Sequence, residues 1–310
     1  MAIQTQPDLN SIVDEGLKKA GYSDIQVSND KNLRIRAKKQ WIEETKHDIW
    51  KLSKKLRSLF TTSTAISVEN QSRYPFPSDY ESDLTVTLLH GNERGTAQGS
   101  TSGTITLASD EGVSGSSILS KQIFITSGTA VGNMSQCTAY NSTTKVATVN
   151  PNWVTSPDST SAYMIIDQTY PLNQAPIQDL DSGYHYTNPF GSSPTDERGT
   201  PSHYFPIGDS DTGEFILHRP PHHTSGVPYG MQLRYYADLL RVDLDSILMT
   251  TLYRRWRNEL TQGVLIRALQ DNDDKNYQTE VQVYAQMLRV FQGRETHGMD
   301  LTNLQQKVTT

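Results

Sequence analysis

The sequence predicts an α+β protein: a helical-bundle core with a small β-hairpin or sheet, carrying an inserted all-β module of barrel or sandwich type. Three observations predict it. From Thr96 to Ile166 only Asp110, Glu111, Lys121, Lys145 and Asp158 are charged, while Thr, Ser, Gly and β-branched residues dominate. The segments on either side are charged and show helical periodicity. The C-terminal third returns to two successive amphipathic runs.

The elements follow in order. Leu9, Ile12, Val13, Leu17 and Ala20 recur at helical spacing, with Asp8 or Asn10 as cap and Gly21 as the stop. Ile42, Ile49, Leu52, Leu56 and Leu59, joined by Trp41 and Phe60, predict a long amphipathic helix of about seven turns. TAISVEN and DLTVTLLHG read as short strands around a Tyr74–Tyr80 turn whose prolines forbid helix. Five strands are expected near 102–108, 121–126, 135–140, 144–150 and 161–167. Residues 171–206 show no period and read as a long loop. EFILHR and MQLRYYA, joined by PPHHTSGVP, predict a hairpin with Met231, Leu233 and Tyr235 inward. Leu248, Leu252, Trp256, Leu260, Val264 and Ala268 recur every four residues. After a break at Asn272-Asp273-Asp274, Tyr277, Val281, Tyr284, Leu288 and Phe291 define a second helix stopping at Gly293. The predicted division is thus 1–93 and 168–293 for the core, 94–167 for the β-module and 294–310 for a polar tail.

Bulk properties narrow the function. An apolar fraction of 35% and a mean hydropathy of −0.58 assign much of the chain to surface, loop or subunit interface. No run approaches the roughly 18 apolar residues of a membrane span, and MAIQTQPDLN lacks a signal-peptide pattern. The lone Cys137 excludes an intrachain disulfide framework and suits synthesis in the cytoplasm. Ten basic residues against three acids give residues 31–57 a net of +7, so the −6 of the whole chain leaves −13 elsewhere. Such a segment is a solvated helix face or a contact for nucleic acid or an acidic partner.

No catalytic constellation stands out. His218, His222 and His223 flank a Pro-Pro turn without Cys or a metal-binding helix pattern. Asp271, Asp273 and Asp274 lack the Gly and the closing Glu of a calcium loop. The pairs Glu43/Glu44 and Asp209/Asp211 read as surface carboxylates. Cys137 lies in an expected strand with no neighbouring cation, and Trp41, Trp50, Trp153 and Trp256 read as anchors. GxSxG, P-loop and dinucleotide fingerprints are absent. The expectation is a structural protein: no enzyme, no cofactor, no metal.

The order of elements carries a resemblance. A long helix precedes Tyr74, Pro77, Asp79 and Tyr80, a Tyr-x-x-Pro-x-Asp-Tyr turn. Then come Gly199, Pro201 and Tyr204, a Gly-x-Phe-Ile-Leu strand from Gly213 to Leu217, Tyr235-Tyr236-Ala237, and two amphipathic helices. This resembles the head-to-tail adaptor (head-completion or tail-accessory) proteins of tailed bacteriophages, of the short-tailed type. The likeness covers roughly 1–93 and 168–293, and the charge-poor segment is similar to β-modules of related phage proteins. It implies a virion protein made in the host cytoplasm and mounted at the head–tail junction. It also implies a homo-oligomeric ring, a dodecamer, with portal protein above and tail nozzle or tube below. Tail fibres would dock through the β-module, and genomic DNA would pass through without sequence specificity during ejection.

Residue roles follow from that likeness. Met299, Leu301 and Leu304 are the candidate portal-docking anchors. Lys38, Lys39, Lys46, Lys51, Lys54, Lys55 and Arg57 are candidates for a channel-lining or portal-facing basic surface. Ile49, Leu52, Leu56, Leu252, Trp256, Leu260, Tyr284, Leu288 and Phe291 are candidate ring-packing stripes. The competing readings are a tail-borne peptidoglycan hydrolase and a receptor- or fibre-binding tail protein.

Overall fold

A computed structural model describes residues 9–52, 55–110, 112, 115–176, 199–209, 212–223, 228–241 and 252–297. It is a mixed α+β structure with three sheets, more sheet-rich than a helical bundle bearing one hairpin. The chain divides into two compact units. One draws on Met1–Thr61, Ser78–Ser82 and Tyr235–Thr310, the other on Thr62–Pro77 and Asp83–Arg234.

The first unit is mainly helical. Helix α1 (Leu9–Lys19) buries Ile12, Val13, Gly16 and Leu17. Gly21, at φ +92°, closes it as the charge-free left-handed residue of a Schellman cap, with Tyr22 N–H on Leu17 O and Gly21 N–H on Lys18 O. Ser23 and Gln26 form a capping box that starts α2 (Asp24–Asn29). Asp30 accepts from Leu33 N–H and starts α3 (Lys31–Arg36). A π-helical turn, Ala37–Trp41, carries α3 into α4 (Ile42–Leu52). The long helix of the sequence is therefore shorter than expected: Leu59 lies in a 3₁₀ turn (Arg57–Leu59), and Phe60 opens strand β1 (Phe60–Ile66), where a Thr-rich run favours extension.

Helix α6 (Arg257–Asp271) is buried on nearly all sides, from Glu259 through Ile266 and again at Ala268 and Leu269. It packs against α1, α4 and α7 (Tyr277–His297). Two glycines set the approach distances. A Cβ at Gly263 would lie 2.2 Å from Thr45 Oγ1, and one at Gly16 would lie 2.8 Å from Val264. Gly293 does not end α7, which continues to His297.

Most of the sheet residues belong to the second unit. The remaining strands are β2 (Arg73–Pro75), β3 (Tyr80–His90), β4 (Arg94–Thr96), β5 (Gly99–Thr101), β6 (Thr104–Thr106), β7 (Gln122–Ser127), β8 (Met134–Asn141), β9 (Val146–Asn150), β10 (Ala162–Ile165), β11 (Gln168–Pro171), β12 (Asn173–Gln174), β13 (His203–Ile207), β14 (Glu214–Leu217) and β15 (Gly230–Ala237). A short helix α5 (Gly115–Ile118) precedes β7. The sheets run β1-β15-β3-β11, β12-β13-β14-β2 and β4-β10-β7-β8-β9-β6-β5. The expected 214–237 hairpin does not form, because β14 and β15 belong to different sheets. Their long Pro-Pro-containing connection imposes no register. β14, buried at Phe215, Ile216 and Leu217, is flanked by β13 and β2 instead.

All seven strands of the largest sheet lie between Arg94 and Ile165, two more than expected, since β4 and β5 are too short to show a period. The two edge strands β4 and β5 are separated by only Ala97 and Gln98. A flat seven-stranded sheet is about 29 Å wide, whereas such a link spans at most about 11 Å. The sheet therefore curls into a barrel. Ala97 N–H bonds Ser161 O, and Gln98 N–H bonds Thr106 O, which ties both edges to their neighbours. Inside lie Ile105, Leu107, Ile118, Ile123, Ile125, Cys137, Ala147, Val149, Trp153, Tyr163 and Ile165. Outside, Phe124 and Met164 pack with Leu89, Ile166, Ile66 and Met134, which seats the barrel on the β1-β15-β3-β11 sheet.

Candidate functional site

Within each unit, some of the motif segments that carry the resemblance touch. Tyr74 pairs with Phe215 across β2 and β14, their rings stacked at 5.5 Å. Phe76 N–H bonds Gly213 O, and a side chain at Gly213 would collide with the Phe76 ring. Asp79 accepts the Tyr235 hydroxyl at 2.6 Å, Asp79 O accepts Asp238 N–H, and the Tyr80 and Tyr235 rings meet at 5.9 Å. Gly199 bridges Pro221, and the Tyr204 hydroxyl reaches Leu84 O.

The basic segment is partly neutralised within its own unit. Arg34 pairs with Asp14 at 3.1 Å. Arg36 pairs with Asp271 and lies 5.1 Å from the Trp41 ring centre. Lys38 hydrogen-bonds Asn10. Lys46 is only 1% exposed and pairs with Glu43 at 3.0 Å, which removes it from any open basic surface. Lys31, Lys39, Lys51, Lys55 and Arg57 are exposed. Lys54 lies outside the described residues.

The candidate ring-packing stripes are used up inside the chain. Ile49, Leu56, Leu252, Trp256, Leu260, Tyr284 and Phe291 are buried, and Leu52 and Leu288 are half-buried. The amphipathic period is thus satisfied by helix-on-helix packing within one copy, and a neighbouring copy must use other surfaces. Trp256 meets Phe291 edge-on at 5.5 Å and donates Nε1–H to Ser58 Oγ at 3.2 Å. Glu295 accepts from Ser58 N–H and Oγ–H at 3.0 and 2.5 Å. Arg294 reaches Glu259 at 3.4 Å. Burial, the largest cause, and the Glu295 charge push the Glu259 carboxyl above its ordinary range, with Arg294 opposing. Arg267 binds Glu44 Oε2 at 2.6 Å and Asp48 Oδ2 at 2.7 Å, and Asp48 also takes the Tyr284 hydroxyl. Sequence reasoning missed these polar networks because most of their members lie far apart in the chain, Ser58 and Glu295 by 237 positions and Asp48 and Arg267 by 219. Met299, Leu301 and Leu304 fall outside the described residues.

The histidines do not converge. His218 Nδ1 accepts from Ser202 N–H at 3.1 Å, and burial, helped by Arg219 and His203, lowers its pKa to about 4. His222 faces Glu69 at 3.5 Å. His223 Nε2 lies 2.8 Å from Ser67 Oγ. That last pair has the spacing of a nucleophile and its base, but Ser67 is 2% exposed and its Oγ accepts Tyr229 N–H at 2.9 Å. It ties the end of β1 to the approach of β15. Among the described residues no three His, Cys, Asp or Glu side chains are grouped to hold a metal.

The other carboxylates are also engaged. Asp274 accepts Asn276 N–H in the α6–α7 turn, Asp209 accepts Thr212 N–H, and Glu43 and Glu44 hold Lys46 and Arg267. Asp211 lies outside the described residues. Cys137 is buried in the barrel, and burial pushes its thiol up, away from the reactive thiolate. Trp41, Trp153 and Trp256 are buried, while Trp50 stacks on His47 at 5.7 Å.

No family model matches the chain, and no curated protein matches it. Among the described residues no helix is long and apolar enough to cross a membrane.

Proposed function

We propose that this chain is a structural head-to-tail adaptor of a tailed bacteriophage. It forms a ring between the portal at the capsid vertex and the tail, and DNA passes through that ring. The supporting observation is the contact among the motif segments: 74–76 against 213–215, and Asp79–Tyr80 against Tyr235–Asp238. Residues scattered over some 160 positions, which carry the sequence resemblance, are bonded to each other rather than spread over the surface.

The barrel of residues 94–165 is the part of this adaptor that serves a particular tail. Its neutral exterior, with Gln136, Thr138, Thr148 and Asn150 exposed on β8 and β9, suits docking of a fibre or nozzle subunit. Lys39, Lys51, Lys55 and Arg57 are the cations that would face the portal or the DNA. Met299, Leu301 and Leu304 remain the proposed portal anchors.

Negative-stain microscopy of the purified protein with and without its portal tests the reading. Rings seated on the portal are expected; a monomer indifferent to portal overturns it. Deleting 96–166 tests the barrel's role separately, because intact fibre attachment would then exclude docking through it.

A further inference from the structure

Two arms of the chain meet at the end of the β13–β14 ladder. Residues 199–203 lead into β13 and residues 218–222 leave β14, and His203 stands opposite His218 in continuation of the Tyr204–Leu217 pairing. Backbone bonds join the arms: His218 N–H to His203 O at 3.1 Å, Gly199 N–H to Pro220 O at 3.2 Å and His222 N–H to Gly199 O at 3.3 Å. Pro201, Pro220 and Pro221 have no N–H to add. The His218 imidazole makes up part of the shortfall. Its Nδ1 accepts from Ser202 N–H at 3.1 Å and from His203 N–H at 3.4 Å.

This geometry leaves no place for a second proton on the ring. A neutral imidazole carries one N–H, and an Nδ1 that accepts fixes it on Nε2. A proton taken from water must then go to Nδ1, where it would point at two N–H donors instead of accepting from them. Burial opposes the resulting charge first, then Arg219 and His203. Glu69, the acid that could offset it, bears on the next two histidines instead: it lies 3.5 Å from His222 Nδ1 and favours a charge on His223.

We infer that the His218 imidazole is an acid-operated clasp between residues 199–203 and 218–222: neutral, it holds the two arms together, and on gaining a proton it lets them part. Because the folded value of His218 is lowered from 6.5 to about 4, the clasp is fully closed above about 6.5 and loosens as pH falls toward 4. The device belongs to this end of one sheet and stands whether or not the chain is an adaptor.

Amide hydrogen exchange on the full chain is the test, read residue by residue by NMR and corrected for the intrinsic effect of pH. Between about pH 7.5 and about pH 5, protection of the Gly199 and His222 amides is expected to fall about tenfold or more. Neither amide bonds the imidazole, so both report the arms and not the ring. The Val149 amide, bonded to Gly103 O in the barrel, should keep its protection. In His218→Asn the side-chain oxygen can accept from the same N–H groups without titrating, so protection of both arms should stay flat. A second measurement needs no variant: the Nδ1 resonance of isotope-labelled His218 should titrate with the same midpoint as the exchange, well below the ordinary histidine value. Unchanged protection at Gly199 and His222, a loss confined to Ser202 and His203, an equal loss in His218→Asn, or a midpoint at the ordinary value each overturns the inference.

Discussion

Tyr235 donates its hydroxyl to Asp79 Oδ1 at 2.6 Å, and both side chains come from segments that the sequence marks as motifs. Tyr235 is buried and Asp79 half-buried, so this is a charge-assisted bond held largely away from water. It holds Asp79 and Tyr80 against the end of β15.

Tyr235→Phe removes the donor and keeps the ring. The expected loss is about 1.5–3 kcal/mol, the range for bonds to charged groups, read by urea denaturation. Asp79→Asn should lose less. A double-mutant cycle that gives no coupling between the two would show the bond to be incidental.

The close approach of α4 and α6 at Gly263 should tolerate no side chain. Gly263→Ala is expected to destabilise by about 1–3 kcal/mol through overpacking, despite the better helix propensity of alanine. Thr45→Ser in the same protein should recover part of that loss, since the Thr45 methyl is among the nearest atoms. Thermal melts of the single and double variants check this.

Burial raises the Glu259 carboxyl above its ordinary 4.5, so the folded state holds its proton more tightly than the unfolded chain. That contribution is complete below pH 4.5 and is lost as pH rises through the raised folded value. Glu259→Gln removes the titration. Its stability relative to wild type should therefore improve from acid toward neutral pH. A pH-independent difference in melting temperature would refute this.

Asp158 behaves oppositely. Hydrogen bonds from Thr160 and Thr129 hold it at about 2, so its contribution is present above 3.8 and lost as pH falls through about 2. Asp158→Asn should flatten the acid limb of barrel unfolding, followed through the fluorescence of buried Trp153.

On the adaptor reading, Lys39→Glu, Lys51→Glu and Arg57→Glu together should weaken portal binding and lower its salt dependence, with the fold intact. Lys46→Glu should destabilise the fold instead, because it puts a carboxylate at a position only 1% exposed and next to Glu43. Equal effects from both would remove the distinction between surface and buried cations.

Much of this architecture was legible from short-range patterns. Strands β6 to β10 coincide with the expected windows to within a residue because the Gly, Ser and Asn turns between them are local signals. α1 and its Gly21 stop were legible for the same reason. Partners were not. The stripes of Ile49, Trp256 and Phe291 announce an apolar face, but periodicity carries no information on whether that face meets its own chain or another. β14 and β15 look like consecutive strands of a hairpin, and only long-range competition from β2, β13, β1 and β3 separates them. The Ser58–Glu295 and Arg267–Asp48 contacts have no sequence signal at all.

His90 and Gln168 face each other as the last pair of the β3–β11 ladder. Everything between them, the whole barrel, occupies the place of a turn. Replacing 91–167 by Asn-Gly, the commonest two-residue hairpin connection, would leave both strands in register. The barrel is in that sense a grown-out loop tip, one that has settled on its own base: Phe124 and Met164 pack on Leu89 and Ile66, and the Thr64 hydroxyl of β1 donates to Gly132 O, so shortening it would bare that apolar patch while leaving the β3–β11 ladder in place.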